Sequence, residues 1–381
     1  MSKLIEITGK PISGEWGSDD LAGTGIPVLR TTNFTNEGIV NYSNIVTRQI
    51  KKKNIAEKML RYGDIILEKS GGSDNQPVGR VVFFEGEENK YLFNNFTGVL
   101  RIQDTNKWHP KYVFYALFTS YVSGGTVCYE NRTTGLHNLR TDSYVSSVEI
   151  PDRTIDEQKA IVEHIDTIVK IIRLYKDQVS NLDVLVKSRF IELFGDPETN
   201  PKEWTRQRLD QICENLDSRR VPITSTDRKA GNYPYYGASG IVDYVEDYIF
   251  DEDILLISED GANLVMRSTP IAFSVSGKVW VNNHAHVVRF ESKATQKYIE
   301  ICFALTDISG SITGTAQPKL NQAKLNAMMF CVPPIELQEQ FAAFVEQTDK
   351  SKYYSSLSFR YCQAAENAYR QEWITCRTSD F

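Results

Sequence analysis

The chain has 381 residues, of which 41% are hydrophobic and 24% are charged, and its formal net charge is −6. This composition is typical of a globular protein and excludes a disordered or collagen-like chain, and the length favours two or three domains over one. No uncharged apolar run approaches the ~20 residues that span a bilayer, and the acidic balance counts against nucleic-acid binding, for which a basic surface is the usual sign.

The first 150 residues contain short runs of apolar, β-branched and aromatic residues bounded by Gly, Asn and Asp. Runs of this kind predict strands with a few intervening helices. The clearest are residues 26–31, 64–68 and 81–84, and similar runs return at 254–258 and 287–289. We therefore expect one domain of mixed α and β structure before residue 150 and a second one in the C-terminal half.

A long helix is expected between the two domains, from about Thr154 to Phe194. Its apolar residues are spaced alternately by four and three positions, which is the heptad pattern of a helix that packs along one face. Pro151 and Asp152 precede the helix and Gly195 follows it, in positions typical of helix starts and ends. At ~1.5 Å per residue the helix would be roughly 60 Å long. The heptad positions are Ile161, Ile165, Ile168, Ile172, Tyr175, Val179, Leu182 and Val186.

A second, weaker seam is expected 182 residues later, near the C-terminus. It has smaller residues and a serine-rich stretch, and its positions are Tyr354, Leu357, Tyr361, Ala364 and Ala368. Two seams in one chain favour antiparallel packing of the two helices on each other. The alternative is that the first seam binds a partner helix or forms a homodimer.

The chain also repeats itself with a period near 185 residues. Matches that keep their order with small changes in spacing indicate a duplication. They pair Asn94 with Asn282, Val99 with Val287, Arg101 with Arg289, Tyr112 with Tyr298, Leu139 with Leu320, and Glu157-Gln158 with Glu339-Gln340. The opening of the first repeat allows two alignments: Trp16 and Leu21 match Trp204 and Leu209, whereas 38–42 resembles 240–244.

The predicted fold class is therefore α/β (mixed α+β). We expect two similar globular domains separated by two long antiparallel helices, with pseudo-twofold internal symmetry. The predicted boundaries are 1–150 for the first domain, 151–196 for the central helix, 197–333 for the second domain, and 334–381 for the distal helix and an atypical tail.

The sequence lacks the motifs of the common enzyme classes. It contains no phosphate-binding loop, no G-x-S-x-G elbow, no H-E-x-x-H and no adenine-methyltransferase motif. The acidic residues near Pro151 are better explained as a helix start than as a nuclease site, and His284 and His286 lack a third metal ligand. The six cysteines include no Cys-x-x-Cys pair, and Met1 begins no signal-peptide pattern, which predicts a cytoplasmic protein with reduced thiols. Together with the missing motifs, this predicts no metal site and no catalytic residues.

Polar loops recur at matching places in the two repeats. Arg and Lys suit guanine and phosphate, Asn and Gln suit adenine, and Ser and Thr suit either base, although a solvated surface is the alternative for any one of these residues. The DNA-binding candidates in the first repeat are Arg30, Thr31, Thr32, Asn33, Lys51, Lys52, Lys69, Ser70, Gly71, Ser73, Arg132, Thr133, Thr134, His137, Asn138 and Arg140. Those in the second repeat are Arg219, Arg220, Tyr235, Tyr236, Ser239, Asn263, His284, His286, Gln317, Lys319 and Asn321.

The duplicated layout resembles the specificity (S) subunit of type I restriction-modification systems. The strings that carry the resemblance are 26–30, 282–289, the segments 139–151 and 320–333, the helix starts at 157–158 and 339–340, and Leu193-Phe194-Gly195-Asp196. The resemblance covers roughly residues 20–350.

This resemblance implies a non-catalytic subunit that recognises double-stranded DNA. Each target-recognition domain would read one half of a bipartite site through the major groove, and the helices would set the gap between the halves. Modification (methyltransferase) subunits that carry S-adenosylmethionine would dock on the helices, and a restriction (translocase and endonuclease) subunit would join them. The candidate partner-docking residues are Ile161, Ile165, Ile168 and Ile172.

Two other functions stay open from the residues alone. One is a protein-interaction scaffold whose helical rod assembles partners without touching DNA. The other is a degenerate enzyme, which would require a bound cofactor.

Overall fold

The computed structural model describes residues 1–51, 54–133, 136–314 and 316–373. The chain forms two compact units: unit 1 is made of residues 1–175 together with the chain from 358 onward, and unit 2 of residues 176–357. Each unit contains sheets and helices, so the predicted mixed fold with two sheet-rich regions is confirmed. Both long helices are divided between the units, and the four-part division proposed from the sequence stays a prediction.

Unit 1 contains thirteen short strands and three helices, besides its parts of the two long helices. The strands are β1 (Ser2–Lys3), β2 (Ile12–Ser13), β3 (Ser18–Asp19), β4 (Ile26–Leu29), β5 (Val46–Gln49), β6 (Ile65–Glu68), β7 (Ser70–Gly72), β8 (Val81–Phe83), β9 (Leu92–Phe93), β10 (Thr97–Leu100), β11 (Glu130–Thr133), β12 (Leu136–Leu139) and β13 (Glu149–Ile150). The helices are α1 (Leu4–Thr8), α2 (Pro110–Val122) and α3 (Thr141–Ser147). These counts refer to the described residues.

The main sheet of unit 1 has the strand order β2-β10-β6-β8, and all its pairs are antiparallel. Residues of β6 alternate between two cores: Ile65 and Leu67 pack with α1, α2 and the long helix, whereas Ile66 packs on the opposite face. Both faces of the strand are therefore buried, which explains why its sequence is a continuous apolar run rather than an alternating one.

Unit 2 has ten strands, four shorter helices and its parts of the two long helices within the described residues. The strands are β14 (Arg206–Arg208), β15 (Glu214–Asn215), β16 (Ala230–Gly237), β17 (Gly240–Val245), β18 (Phe250–Asp251), β19 (Ile254–Ser258), β20 (Ala272–Val275), β21 (Lys278–Val281), β22 (Ala285–Arg289) and β23 (Met329–Cys331). The helices are α5 (Leu209–Ile212), α6 (Asn263–Met266), α7 (Lys293–Leu305) and α8 (Gln322–Asn326).

The sheet order β15-β22-β19-β20 in unit 2 repeats that of unit 1, again with antiparallel pairs. A parallel pair also recurs, as β4 with β9 in unit 1 and β16 with β21 in unit 2. The amide of Asn94 donates to Leu29 O at 2.9 Å, and that of Asn282 donates to Tyr236 O at 3.0 Å. The two asparagines thus end the same parallel pair in each unit, which confirms the duplication.

The opening of the first repeat follows neither alignment considered from the sequence. Short helices α1 and α5 are equivalent, because each follows an edge strand and begins with the same backbone-to-side-chain bond, from Lys3 to Glu6 at 3.2 Å and from Arg208 to Gln211 at 3.1 Å. Leu4 therefore corresponds to Leu209. The earlier match of Leu21 with Leu209 was wrong, and Leu21 lies on an exposed loop.

Two long helices follow the two sheet regions: α4 (Ile155–Phe194, 40 residues) and α9 (Ile335–Trp373, 39 residues). Thr154 caps α4, since its hydroxyl and the Glu157 carboxylate each accept a bond from the other's amide, at 3.3 and 2.8 Å. Gly195, with φ +78°, ends it. Glu157 is thus a capping residue, as the helix-start reading of this segment predicted. No helix within the described residues is both long and apolar enough to cross a membrane.

The second seam lies two residues away from the position predicted for it. Gln158 donates to Arg153 O at 2.9 Å and Gln338 donates to Pro333 O at 2.7 Å, so Gln338, and not Gln340, corresponds to Gln158. The segment that leads into α9 is two residues shorter than the one that leads into α4, and this changes the spacing of the repeats from 182 to 180.

With this shorter spacing, the covered face of α9 follows the α4 seam. Its buried positions are Gln338, Phe341, Val345, Thr348, Ser355 and Arg370, whereas the positions predicted from the sequence include the exposed Tyr354, Tyr361, Ala364 and Ala368.

The two helices pack on each other inside each unit. In unit 2, the ring of Phe190 lies 5.5 Å from that of Phe341, and the earlier Asp183 pairs at 2.7 Å with the later Lys352. The helices therefore run antiparallel there, as predicted. In unit 1, the Tyr369 ring lies 5.7 Å from that of His164.

Candidate nucleic-acid interface

An open cavity of about 740 Å³ in unit 2 brings together four of the predicted site residues. Tyr235 lies on β16 beside β21, and Ser239 lies in the turn between β16 and β17. The pairing of Ser258 with Ala285 at the ends of β19 and β22 places the loop of Asn263 close to His284. The cavity thus collects polar groups from three separate segments at one end of the sheets.

Only some of these lining groups are free to meet a ligand. Ser239 and His284 are exposed, and the His284 ring lies 2.9 Å from a carboxylate oxygen of Asp260. Tyr235 is buried, and its hydroxyl accepts from the Ile223 amide at 3.0 Å. Asn263 accepts from the Thr269 amide at 3.0 Å and so fixes its own turn.

A buried polar network lies beside the cavity. His286 is completely buried, with Nδ1 2.6 Å from Asp217 Oδ2 and Nε2 2.7 Å from Leu320 O. Arg220 Nη1 contacts Glu259 Oε2 at 2.6 Å and Ala285 O at 2.8 Å. His286 and Arg220 are therefore engaged inside the fold, and the prediction that His286 itself contacts DNA is corrected by its burial.

The network shifts the pKa of both carboxylates. Burial alone would raise the pKa of Asp217, but the hydrogen bonds from His286 and the Val287 amide and the nearby charges of His286 and Arg220 together outweigh it, and the pKa lies below its usual value. Burial likewise opposes the hydrogen bonds from Arg220 and Lys319 at Glu259, and the bonds again prevail, so that this pKa is lowered too. Both groups are thus held as carboxylates.

The remaining candidates of unit 2 fall into exposed and anchored groups. Gln317 and Lys319 are exposed on one loop, and Lys319 Nζ lies 3.0 Å from Glu259 Oε1. Asn321 caps α8 by accepting from the Lys324 amide at 2.9 Å. Arg219 Nη1 lies 2.6 Å from Glu252 Oε1, and Tyr236 is half-buried.

In unit 1, β7, β12 and β11 form a three-stranded sheet that brings several candidates together. His137 lies opposite Gly72 and Arg132 on its two neighbours, and Asn138 lies opposite Ser70. His137 is buried, 3.2 Å from a Glu130 carboxylate oxygen. Gly71 is exposed in the middle of β7, and Ser73 is exposed one residue beyond its end.

The candidates that follow β4 fix their own loop. Asn33 is buried and donates to Asn41 O at 3.0 Å, and Arg30 donates to Asn44 O at 3.2 Å. Thr31 is half-buried, whereas Thr32 is exposed.

Three further candidates of unit 1 differ in exposure. Lys51 and Arg140 are exposed. Lys69 is half-buried, and burial together with the nearby charge of Lys58 lowers its pKa. The side chains of Arg132 and Thr133, and the whole of Lys52 and Thr134, lie outside the described part of the chain.

The candidate docking residues on α4 face the interior of the chain. Ile161, Ile165 and Ile172 are buried and Ile168 is half-buried, and the first two belong to the core of unit 1. These side chains therefore offer little surface to a partner. The exposed apolar side chains on α4 are Ile171, Leu174, Val184, Leu185 and Ile191.

The sequence reasoning missed Arg228 as a lining residue of the cavity, where its guanidinium lies over the Tyr235 ring at 4.5 Å. The Arg228-Lys229 pair in a polar stretch was an available signal. Among the described residues, no group of three or more His, Cys, Asp or Glu side chains is arranged to hold a metal ion.

The second half of the chain is similar to known proteins. Residues 201–353 match the family described as the type I restriction modification DNA specificity domain. A protein named as a type I restriction enzyme specificity subunit, from Haemophilus influenzae, is 32% identical over 149 residues, which are 39% of this chain and 38% of that protein. Another, named as the MjaX specificity subunit of Methanocaldococcus jannaschii, is 20% identical over 57% of this chain and 49% of its own length. The chain thus spans about two fifths to one half of the curated relatives it matches.

Solved structures extend the likeness to the whole fold. The S subunit of a type I restriction-modification system from M. genitalium matches 99% of this chain and 96% of its own, with a TM-score of 0.59 at 15% identity. A chain from a structural study of the assembly of a type I restriction-modification system matches 98% of this chain and 96% of its own, with a TM-score of 0.56 at 14% identity. The resemblance stated from the sequence is confirmed.

Proposed function

We propose that this chain is a DNA-recognition subunit whose two units each read one half of a bipartite site. The proposal is supported by the match of residues 201–353 to the type I DNA specificity domain and by the sheet order that unit 1 shares with unit 2. The repeated scaffold is the observation that carries the proposal. Its loops differ in chemistry between the units, as two readers of different sequences require. The alternative function, a protein-interaction scaffold that does not bind DNA, is not favoured, since the match to the DNA specificity domain covers most of unit 2.

The exposed side chains divide into two kinds of contact. In unit 2, Ser239, His284 and Gln317 present donors and acceptors that suit base edges in the major groove. Lys319 there and Lys51 in unit 1 suit phosphate, which sets register without reading sequence. Contacts of this kind let a chain of net charge −6 bind DNA locally.

The long helices supply the spacing and the partner surface of the proposed complex. Helix length sets the gap between the half-sites, and modification subunits that bind S-adenosylmethionine dock on the exposed apolar residues of α4. A restriction subunit completes the complex in the cytoplasm, where the DNA lies. In this proposal the chain itself carries no catalytic step, and its role is to orient the partners on the DNA.

The test is to co-express the chain with a type I modification subunit and to sequence the methylated sites of the host genome. The expected motif has two short specified parts separated by a fixed unspecified gap. Gln317→Ala should make one half degenerate and leave the other unchanged, whereas Lys293→Ala, an exposed-lysine variant at the start of α7, should leave both halves unchanged. A continuous motif, or equal loss in both halves with Gln317→Ala, would contradict the proposal.

A further inference from the structure

The two units hold equivalent loops in different ways. Leu139 in unit 1 donates its amide to Lys69 O at 2.8 Å, and Leu320 in unit 2 donates to Glu259 O at 2.8 Å, so the segments ending at these leucines are equivalent. In unit 1 this segment is the β11–β12 hairpin, which has four cross-strand residue pairs and also pairs with β7.

The corresponding loop in unit 2, residues 313–321, has little backbone pairing. Within its described residues, the loop contributes no strand to a sheet. Its backbone hydrogen bonds join Thr313 with Lys319 in both directions, the Gly261 amide with Pro318 O, and the Leu320 amide with Glu259 O. Its exposed side chains nevertheless include Gln317 and Lys319, which are candidates for DNA contact. Without a strand ladder, a contact from a side chain adds to the order of this loop.

His286 contacts this loop from the interior of unit 2. The ring is fully buried on β22 and spans from Asp217 Oδ2, at 2.6 Å from Nδ1, to Leu320 O, at 2.7 Å from Nε2. The ring thus joins the Asp217 carboxylate to the carbonyl group that ends the loop. Asp217 is itself fixed, since its Oδ1 accepts from the Val287 amide at 2.8 Å.

Unit 1 has no counterpart of this side chain. Gly98 on β10 lies opposite Leu67, as His286 on β22 lies opposite Ile257. A glycine at this position cannot reach the loop, and the sheet pairing of unit 1 makes such a bond unnecessary. The two units thus differ in one respect: a strand ladder holds the segment in unit 1, whereas in unit 2 the contact of His286 adds to a few backbone bonds.

We propose that His286 is a positioning residue, which fixes the height and orientation of the 313–321 loop so that Gln317 and Lys319 meet the DNA. This inference rests on the proposed function, and it concerns how unit 2 achieves it. The buried ring acts through Leu320 and does not touch the nucleic acid.

Two substitutions separate the two hydrogen bonds of the ring. In His286→Gln the side-chain amide reaches the place of Nε2, and in His286→Asn it reaches the place of Nδ1. The glutamine variant keeps the bond to Leu320 O and the asparagine variant keeps the bond to Asp217. If His286 only stabilised the fold, His286→Asn and His286→Gln would differ in overall stability. The difference would not be confined to the 313–321 loop.

Amide hydrogen exchange of the full chain is the first readout, at a temperature well below the melting point of each variant. We expect exchange in 313–321 to be about tenfold faster in His286→Asn, because an opened hydrogen bond of ordinary strength has an effect of this order. Exchange there should stay within about twofold of the unsubstituted chain in His286→Gln, while β7 and β12 stay unchanged in both. Equal exchange of 313–321 in the two variants would overturn the proposal that the contact of His286 with Leu320 O fixes this loop.

The methylated motif of cells that also carry the modification subunit is the second readout. We expect His286→Asn to make one half of the motif degenerate, and His286→Gln to restore it. An unaltered motif in His286→Asn would overturn the positioning role. Absence of a bipartite motif with the unsubstituted chain would instead refute the proposed DNA-recognition function, and with it the positioning role. The exchange result would still decide whether His286 fixes the 313–321 loop.

Discussion

Phe190→Ala is expected to destabilise unit 2 by about 3–5 kcal/mol, the range for removal of a buried aromatic ring. Phe190 is completely buried where α4, α7 and α9 meet, with its ring 5.2 Å from that of Tyr298, 5.0 Å from Phe194 and 5.5 Å from Phe341. The four rings come from three different helices, α4, α7 and α9. The space that the alanine leaves therefore cannot be filled by the shift of one side chain. For a unit of this size, the loss corresponds to a fall in melting temperature of roughly 6–20 °C.

The measurement is thermal unfolding by calorimetry, together with hydrogen exchange to assign the transition to unit 2. Val184→Ala is the matched control, because Val184 lies on the same helix with 58% of its side chain exposed, and we expect it to change the free energy of unfolding by less than about 0.5 kcal/mol. A loss below about 1 kcal/mol for Phe190→Ala, or one equal to that of the control, would refute the packing argument.

Three further outcomes are expected. Arg80→Met should cost about 3–5 kcal/mol in denaturant unfolding, because it leaves the buried Glu68 without the guanidinium at 2.9 Å; recovery should follow from adding Glu68→Gln, and a neutral single substitution would contradict this. Since the pKa values of Asp217 and Glu259 are lowered from 3.8 and 4.5, their stabilisation is present at neutral pH and should decline as the pH falls below these values, which melting curves from pH 6 to 3 would show; a flat profile would count against it. A heptad added to both α4 and α9 at the unit boundaries should widen the gap of the methylated motif by up to about 3 base pairs, at ~1.5 Å per residue and ~3.4 Å per base pair, whereas an unchanged gap would refute the spacer role.

The helical part of the fold was predictable because its signals are local. A capping residue, a heptad seam and a terminal glycine all lie in the sequence itself, and α4 begins and ends within a residue of the predicted bounds. The position of the second seam was not predictable in this way. Two residues are missing between Pro333 and α9 relative to the first copy, and only the equivalent contacts of Gln158 and Gln338 reveal the changed spacing.

The candidate site was predicted less completely, because residue type does not determine burial. Ser239 and Gln317 are exposed as expected, and their neighbours in sequence are small or polar. His286 stands in the pattern His-x-His and is equally polar, yet the strand alternation of β22 turns it toward Asp217 and Leu320 in the interior. The partner of a buried polar group lies far away in sequence, and the pattern around the group does not disclose it.

The two ways of holding the recognition loop have different consequences for change in the sequence. A loop held by a β-ladder depends on backbone groups that every residue except proline supplies, so an exposed side chain of the β11–β12 hairpin such as Asn131 can be exchanged without loss of the hairpin's position. The 313–321 loop depends in addition on the contact of His286 with Leu320 O, and a substitution that removes this contact is expected to alter the position of the side chains that the loop presents. New DNA specificities should therefore be easier to obtain by substituting exposed hairpin residues such as Asn131 in unit 1, whereas in unit 2 they should arise at exposed positions such as Gln317 only while the contact with Leu320 O is retained.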